Sequence, residues 1–281
     1  MFKKLDNACL LFEGKAINTV KKEKYKVLIT GKNSFVGKNL KNYLEKYGYE
    51  ADLIGVRDDA WKKADFSMYD VIYHVAAIVH KGNKVDEDTY YRVNTNLTIE
   101  LAKKAKNQGV RHFIFISTMN VYGLTISNDS IDLDTPVNPL SPYGKSKFLA
   151  EEKLRKLQDA NFMITFVRPP MIYGEDAPGN LGKLIRLVSK VHIFPAYSNE
   201  RSAINIEGLC QVAKYILDDN VTGVVLCQDN EYMCTYKVIK KYCDERKIKV
   251  HYTRIFNQII KLLVGKITVF SKVFGDLKYG K

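Results

Sequence analysis

Two reactive groups stand one helical turn apart in the segment Ser141-Pro142-Tyr143-Gly144-Lys145-Ser146-Lys147. About 20 residues upstream, the apolar run Phe113-Ile114-Phe115-Ile116 ends in a pair of hydroxyls, Ser117-Thr118, followed by Met119-Asn120-Val121-Tyr122-Gly123. Helical residues i and i+4 share a face, so Tyr143 and Lys147 present a phenol and an ammonium together. A cation beside a phenol favours the phenolate. A phenolate, an ammonium and a nearby hydroxyl can take a proton from a sugar-type hydroxyl while a hydride leaves the same carbon.

Such a site needs a strand to carry the hydroxyls, a helix to carry the Tyr–Lys pair and a place for a hydride carrier. Serine followed by proline is a helix start, with Ser141 as N-cap and Pro142 in the first turn. Upstream, Lys26-Val27-Leu28-Ile29-Thr30 reads as a buried parallel strand, and Leu40, Tyr43, Leu44 and Tyr47 as a helix. The turn between them, Gly31-Lys32-Asn33-Ser34-Phe35-Val36-Gly37, has the context of a pyrophosphate site at a helix N-terminus. Ser34 occupies the middle glycine position of the usual fingerprint, where its hydroxyl would face a phosphate.

The alternation continues. Ala51 to Val56 reads as a second strand, with Arg57 at its end and Asp58 and Asp59 next. Arg57 would meet the 2′-phosphate of NADP, whereas Asp58 would serve the ribose of NAD; both readings stay open. Val71 to Ala77 reads as a third strand ending in the small residues Ala76 and Ala77, which leave room for a cofactor. His74 is read as a core-edge histidine and His80 as a weak candidate to face substrate. Asp86 to Gln108 reads as one long helix stopped by Gly109, with Asn94 on or near its inward face. Phe113 to Ser117 and Phe162 to Val167 are further strands, and Arg168-Pro169-Pro170 leaves the last in extended form. This pattern predicts an α/β fold built on a doubly wound parallel sheet.

Beyond Gly174 the pattern changes. Helices are expected over 180–190, 206–217 and 235–246, strands over 223–227 and 250–254, and a polar loop over 193–201. We read 1–24 as an N-terminal extension outside the fold, 25–174 as the dinucleotide-binding domain and 175–281 as a smaller substrate lobe partly interleaved with the sheet. Ile255 to Phe274 is apolar and basic, with Ile259, Leu262, Leu263, Ile267, Phe270 and Phe274; such a segment suits a membrane surface, but packing on its own lobe is the preferred reading.

Composition bounds the rest. Of 281 residues, 46% are hydrophobic and 27% charged, an ordinary globular balance. The formal charge of +13 comes from scattered lysines without long like-charge blocks, so nucleic acid is not the expected partner. Five cysteines without a CxxC argue against a disulfide framework or zinc site, and reduced thiols in a cytoplasmic protein are expected. The apolar patch Ala8 to Phe12 is too short for a signal peptide and lies between Asp6 and Glu13. No apolar run reaches the ~18 residues of a membrane span.

The glycine turn, Ser117-Thr118-xx-Val121-Tyr122-Gly123, Tyr143-xxx-Lys147 and Arg168-Pro169-Pro170-Met171-Ile172-Tyr173-Gly174 occur in one order. Together they resemble the extended short-chain dehydrogenase/reductase superfamily, in its NAD-dependent epimerase/dehydratase branch, over about residues 25–279. Arg57 to Trp61, Asp65-Phe66-Ser67 and Gly179-Asn180 make the chain similar to bacterial members associated with surface polysaccharide synthesis.

The resemblance implies a Rossmann-type domain and assigns roles. Tyr143 corresponds to the catalytic tyrosine, Lys147 to the lysine that bonds the nicotinamide ribose, and Thr118, rather than Ser117, to the hydroxyl that orients the reacting oxygen. Gly31, Ser34, Phe35, Val36 and Gly37 correspond to the dinucleotide loop, with Arg57, Asp65, Phe66, Ala76, Ala77 and Pro170 also on the cofactor. Asn180 and Arg201 correspond to positions that hold a sugar nucleotide's diphosphate. Met119 and Asn120 stand where the family's dehydratases carry Asp-Glu, so water elimination is not expected. Met171 replaces an asparagine that contacts substrate in some hexose 4-epimerases. The chain ends at Lys281, where relatives usually continue, so the substrate lobe is expected to be shortened. The implied activity is a UDP-hexose 4-epimerase using NAD through a transient 4-keto sugar. An NADP-dependent 4-ketoreductase is the next reading, and a non-catalytic dinucleotide sensor a third. A homodimer through the helices near 86–108 and 141–160 is the fold-level expectation.

Overall fold

The computed structural model describes residues 1–14, 25–79 and 86–281. His80 lies outside the described residues. Strands β1 (Phe2–Lys4) and β2 (Ala8–Phe12) open the chain. Then come β3 (Lys26–Thr30), α1 (Phe35–Lys46), β4 (Glu50–Ile54), the short α2 (Ala60–Lys63) and β5 (Val71–His74). A continuous helical stretch follows as α3 (Glu87–Tyr90), a π-helical segment (Tyr91–Asn96) and α4 (Leu97–Asn107). Next are β6 (His112–Ile116), a 3₁₀ turn (Met119–Tyr122), α5 (Pro142–Arg155), β7 (Met163–Arg168) and β8 (Met171–Tyr173). The remainder is α6 (Asn180–Val191), β9 (Ile193–Pro195), β10 (Ala203–Asn205), α7 (Ile206–Asp218), β11 (Gly223–Asp229), α8 (Thr235–Glu245), β12 (His251–Thr253), α9 (Asn257–Leu263) and α10 (Thr268–Phe274).

The main sheet runs β1-β2-β11-β7-β6-β5-β3-β4. Its six strands from β11 to β4 are all parallel. The chain leaves β3 toward β4 and returns to β5 on the other side of β3, so β3 and β5 flank the switch point where such sheets bind ligands. Side chains alternate between two layers with the strand period of two. On β6, Ile114 and Ile116 join a core with α1 and α7, while Phe113 and Phe115 join a second core with α4 and α5. A third core gathers α6, α8, α9 and α10 around Ile185, Phe194, Ile239 and Phe274. The elements of 175–281 that interleave with the main sheet are α7 and β11.

Two expectations are corrected. Residues 1–12 are not outside the fold: β2 pairs antiparallel with β11, from Ala8 opposite Asp229 to Phe12 opposite Val225, and β1 folds back on β2. Five apolar residues are few for a membrane but a full strand, and Ala8, Leu10 and Phe12 are buried in the first core. The loop expected over 193–201 contains β9, which pairs in parallel with β12. All five cysteines are free and buried.

Candidate active site

Helix α5 is capped as its sequence implies: Ser141 Oγ accepts the Gly144 N–H at 3.0 Å. Its first turn packs hard on the 3₁₀ turn, since a Cβ on Gly144 would lie 2.6 Å from the Asn120 carbonyl oxygen. Glycine at this position therefore sets how closely Tyr143 approaches the end of β6. Thr118, the cap of the 3₁₀ turn, hydrogen-bonds through its side chain with Tyr143. Ser117 is occupied elsewhere, donating to Glu151 Oε1 at 2.5 Å. The two hydroxyls thus have different duties, and Thr118 is the one beside the phenol.

Burial governs both ionisable groups. The Tyr143 phenol is pushed up to about 12 by burial, against the lowering effect of the Thr118 hydrogen bond and with a further rise from Tyr90. Lys147 is pushed down to about 7 by burial, with Glu151 pulling the other way. Burial thus favours the protonated phenol, against the pull toward phenolate expected of the lysine charge and an oxidised nicotinamide. The Lys147 ammonium lies 3.8 Å from the centroid of the Phe115 ring. A buried ammonium is costly unless acceptors surround it.

Behind the helix lies a polar network. The π-helical segment buries Asn94, whose amide clasps the Ile78 backbone at 2.8 and 3.0 Å and donates to Ser146 Oγ at 3.1 Å. Thr95 Oγ1 donates to the Ser146 carbonyl at 2.7 Å. Ser146 lies between Tyr143 and Lys147, so this clasp fixes the rotation of α5. Glu151, one turn beyond Lys147, pairs with Arg168 through two contacts of 3.1 and 2.6 Å, and Arg168 reaches Tyr122 at 2.9 Å. The ion pair is almost wholly buried. Sequence reasoning missed Glu151 and Ser146; their i+4 and i−1 spacing from Lys147 was the available signal.

The cofactor side is built at the switch point. Gly31 has φ +91°, a left-handed conformation, and a Cβ there would lie 3.4 Å from the Ala76 nitrogen. Gly37 lies against the turn, where a Cβ would be 2.9 Å from the Gly31 carbonyl oxygen. Ser34 is the N-cap of α1, its Oγ accepting the Gly37 N–H at 2.9 Å, an acceptor role that leaves its O–H to donate. Val36 packs on the first core, and Phe35 lies 3.4 Å from a Cβ built on Gly174, joining the turn to the end of β8. Thr30 Oγ1 accepts the Val75 and Ala76 N–H groups at 3.1 and 3.2 Å and contacts His74 Nδ1 at 2.8 Å, while His74 Nε2 contacts Thr98 Oγ1 at 2.8 Å. His74 is wholly buried and held low, at about 3, by burial and by Lys147, so it is a neutral structural bridge.

Other predicted residues are placed less centrally. Arg57 is exposed just past β4. Asp65 is exposed and accepts the Ser67 N–H at 2.9 Å, the Phe66 ring is buried with the Lys104 ammonium 5.0 Å from its centroid, and both residues line a cavity with Leu28, Asp52, Ile54 and Tyr69. Ala76 and Ala77 are half-buried and Pro170 is buried. Asn180 is exposed at the start of α6. Arg201 is held at the end of α10, where its Nη1 donates to the carbonyls of Ser271 and Gly275 at 3.2 and 2.7 Å.

These features fit a dinucleotide. The first turn of α1 holds no acidic residue, and glycine permits close backbone approach. Comparisons with known proteins agree. The chain is 30% identical over 242 residues to the UDP-glucose 4-epimerase of Vibrio cholerae, covering 76% of this chain and 74% of that one. It is also 30% identical over 216 residues to the N-acetyl-alpha-D-glucosaminyl-diphospho-ditrans,octacis-undecaprenol 4-epimerase of Escherichia coli O157:H7, covering 70% of this chain and 64% of that relative. Its fold is similar to the UDP-glucuronic acid 4-epimerase from Bacillus cereus solved with NAD, with TM-score 0.69 and 21% identity over 81% of this chain and 85% of that one. The profile of the NAD dependent epimerase/dehydratase family matches residues 27–223, and the chain belongs to that family of NAD(P)-dependent epimerases and oxidoreductases.

Proposed function

We propose that the protein is an NAD-dependent 4-epimerase of a hexose carried on a diphosphate, most simply a UDP-hexose, acting through a transient 4-keto sugar in polysaccharide biosynthesis. The observation that carries this reading is the hydrogen-bonded Thr118–Tyr143 pair with Lys147 buried one turn along the same helix. Met119 and Asn120, where an acid–base pair would be needed, oppose dehydration.

In this reading Gly31, Phe35, Val36 and Gly37 hold the dinucleotide's phosphates, and Ala76 and Ala77 leave space beside it. Lys147 donates to the ribose. When bound, the nicotinamide supplies hydride exchange at the sugar carbon. Tyr143 takes the C4 hydroxyl proton and later returns it, and Thr118 holds the same oxygen in line. A ligand that gives Lys147 acceptors raises its charged fraction, and that charge then favours the phenolate the reaction needs. Asn180, exposed at the N-terminus of α6, takes the diphosphate in this reading. A homodimer through α4 and α5 belongs to the same proposal and is read by light scattering.

The test is to denature the purified protein, identify the released dinucleotide by mass, and then screen hexoses on UDP and on a short polyprenyl diphosphate. The E. coli relative's name puts its sugar on a diphospho-undecaprenol, and a diphosphate is common to both carriers. Bound NAD and epimerisation without added cofactor are expected. Stoichiometric NADPH consumption would instead establish a reductase. Dinucleotide binding with no turnover of any sugar would establish a sensor.

A further inference from the structure

Helix α9 is apolar on two sides. Its inner side carries Ile260, buried in the third core with Phe274 of α10. Its outer side carries Ile259 and Leu262, and Ile255 continues the stripe one turn earlier, at i, i+4 and i+7. These three are 82%, 55% and 65% exposed in chain order. Beyond the helix, Ile267 and Val269 are also exposed, the latter by 68%. The segment expected to pack on its own lobe therefore does so with only half of its apolar side chains.

The charge around the stripe has one sign. From Arg246 to Gly275 there is no aspartate or glutamate, while Arg254, Lys261, Lys266 and Lys272 are all exposed. The neighbouring helix α6 continues this, with exposed Lys183, Arg186 and Lys190 and no acid from Ala177 to Asn199. Of the acids on adjoining elements, Asp244 pairs with Lys240 and Glu200 with Lys278, Glu245 adjoins Arg246 in sequence, Asp276 accepts the Glu200 N–H at 2.7 Å, and Glu175 and Asp176 are exposed ahead of α6.

We propose that this face, the outer side of α9 with the Gly265–Val269 turn, docks on the anionic surface of a phospholipid bilayer. An exposed apolar stripe flanked by cations and free of acids combines the two attractions such a surface offers: burial of side chains at the headgroup–acyl boundary and Coulomb attraction. A second copy of the chain is a poorer occupant, because two such faces would set like charges against each other. No helix among the described residues is long and apolar enough to cross a membrane, so the contact lies in the interface plane. The active site then works beside a surface rather than in bulk water.

The test is sedimentation of the full chain with vesicles of phosphatidylglycerol and phosphatidylcholine, and with phosphatidylcholine alone. Binding to the anionic vesicles, absent from the neutral ones and lost near about 0.5 M salt, is expected. Ile255→Ser/Ile259→Ser/Leu262→Ser and, separately, Lys261→Glu/Lys266→Glu should each weaken it by at least about tenfold, with unchanged melting temperature. The chain's single tryptophan, Trp61, is buried, so an Ile259→Trp variant adds a readable probe whose emission should shift to the blue on anionic vesicles. No binding by the unmodified chain, binding indifferent to both variants, or a stable dimer that the triple variant converts to monomer would each overturn the proposal. Sedimentation requires no turnover, so its failure leaves the epimerase reading intact.

Discussion

At the scale of single residues, burial decides the chemistry before any partner does. Tyr143 and Lys147 are driven toward their neutral forms by burial. The same force acts on two histidines outside the reaction. His74 and His112 are wholly buried and held at about 3. Their folded values lie below the unfolded value of about 6.5, so the unfolded chain takes up protons that the folded chain refuses. Stability from each is present above about pH 6.5 and lost as pH falls toward 3, by about 1.4 kcal/mol per pH unit per histidine. Urea denaturation of His112→Gln should show a shallower loss of stability than the parent from about pH 6 to about pH 4.5; parallel slopes would contradict this. Sequence reasoning located Tyr143, Lys147 and Thr118 because spacing and order identify them. The effect of burial on both groups was not legible, because desolvation depends on what covers a group, which spacing does not reveal.

At the scale of elements, the account rests on how α5 is held. Its first turn touches the 3₁₀ turn through Gly144, its middle is clasped at Ser146 by the π-helical segment, and Glu151 ties its third turn to Arg168 on β7. A Gly144→Ala change must push α5 away from Asn120 and separate Tyr143 from Thr118. We expect kcat to fall by roughly 10²-fold with the fold retained, measured by steady-state kinetics and circular dichroism. Glu151→Ala leaves Arg168 buried without its counter-charge and should cost about 3–5 kcal/mol in denaturant unfolding, whereas Glu151→Leu with Arg168→Met should cost much less. The start of α5 was legible because Ser-Pro is a local signal. The π-helical segment was not, because its extra residue is stabilised by Asn94 and Thr95 reaching α5, some 50 residues away. The carbonyl partners of Arg201 were not legible for the same reason: they lie 70 and 74 residues along the chain.

At the scale of the whole molecule, the parallel sheet is completed at one edge by the chain's own beginning. Without β2, the β11 edge would present unpaired backbone groups and the side chains of Val225 and Cys227. A chain lacking residues 1–12 should lose up to about 3–6 kcal/mol from Leu10 and Phe12 alone, and should aggregate on heating. A melting temperature equal to that of the full chain would show the hairpin to be dispensable. The parallel order of the sheet followed from alternating strand and helix patterns; the hairpin did not, because a five-residue apolar run at a terminus has no local feature that names its partner.

The central claim is that one hydrogen leaves the sugar carbon as hydride and returns to it while Tyr143 handles the proton. The direct measurement uses the hexose identified by the carrier screen, labelled with deuterium at C4 and incubated with the protein in ordinary water. The product should be the 4-epimer with its deuterium retained, and Tyr143→Phe should form it at least about 10²-fold more slowly. Replacement of the deuterium by solvent hydrogen, or undiminished turnover by Tyr143→Phe, would contradict the account.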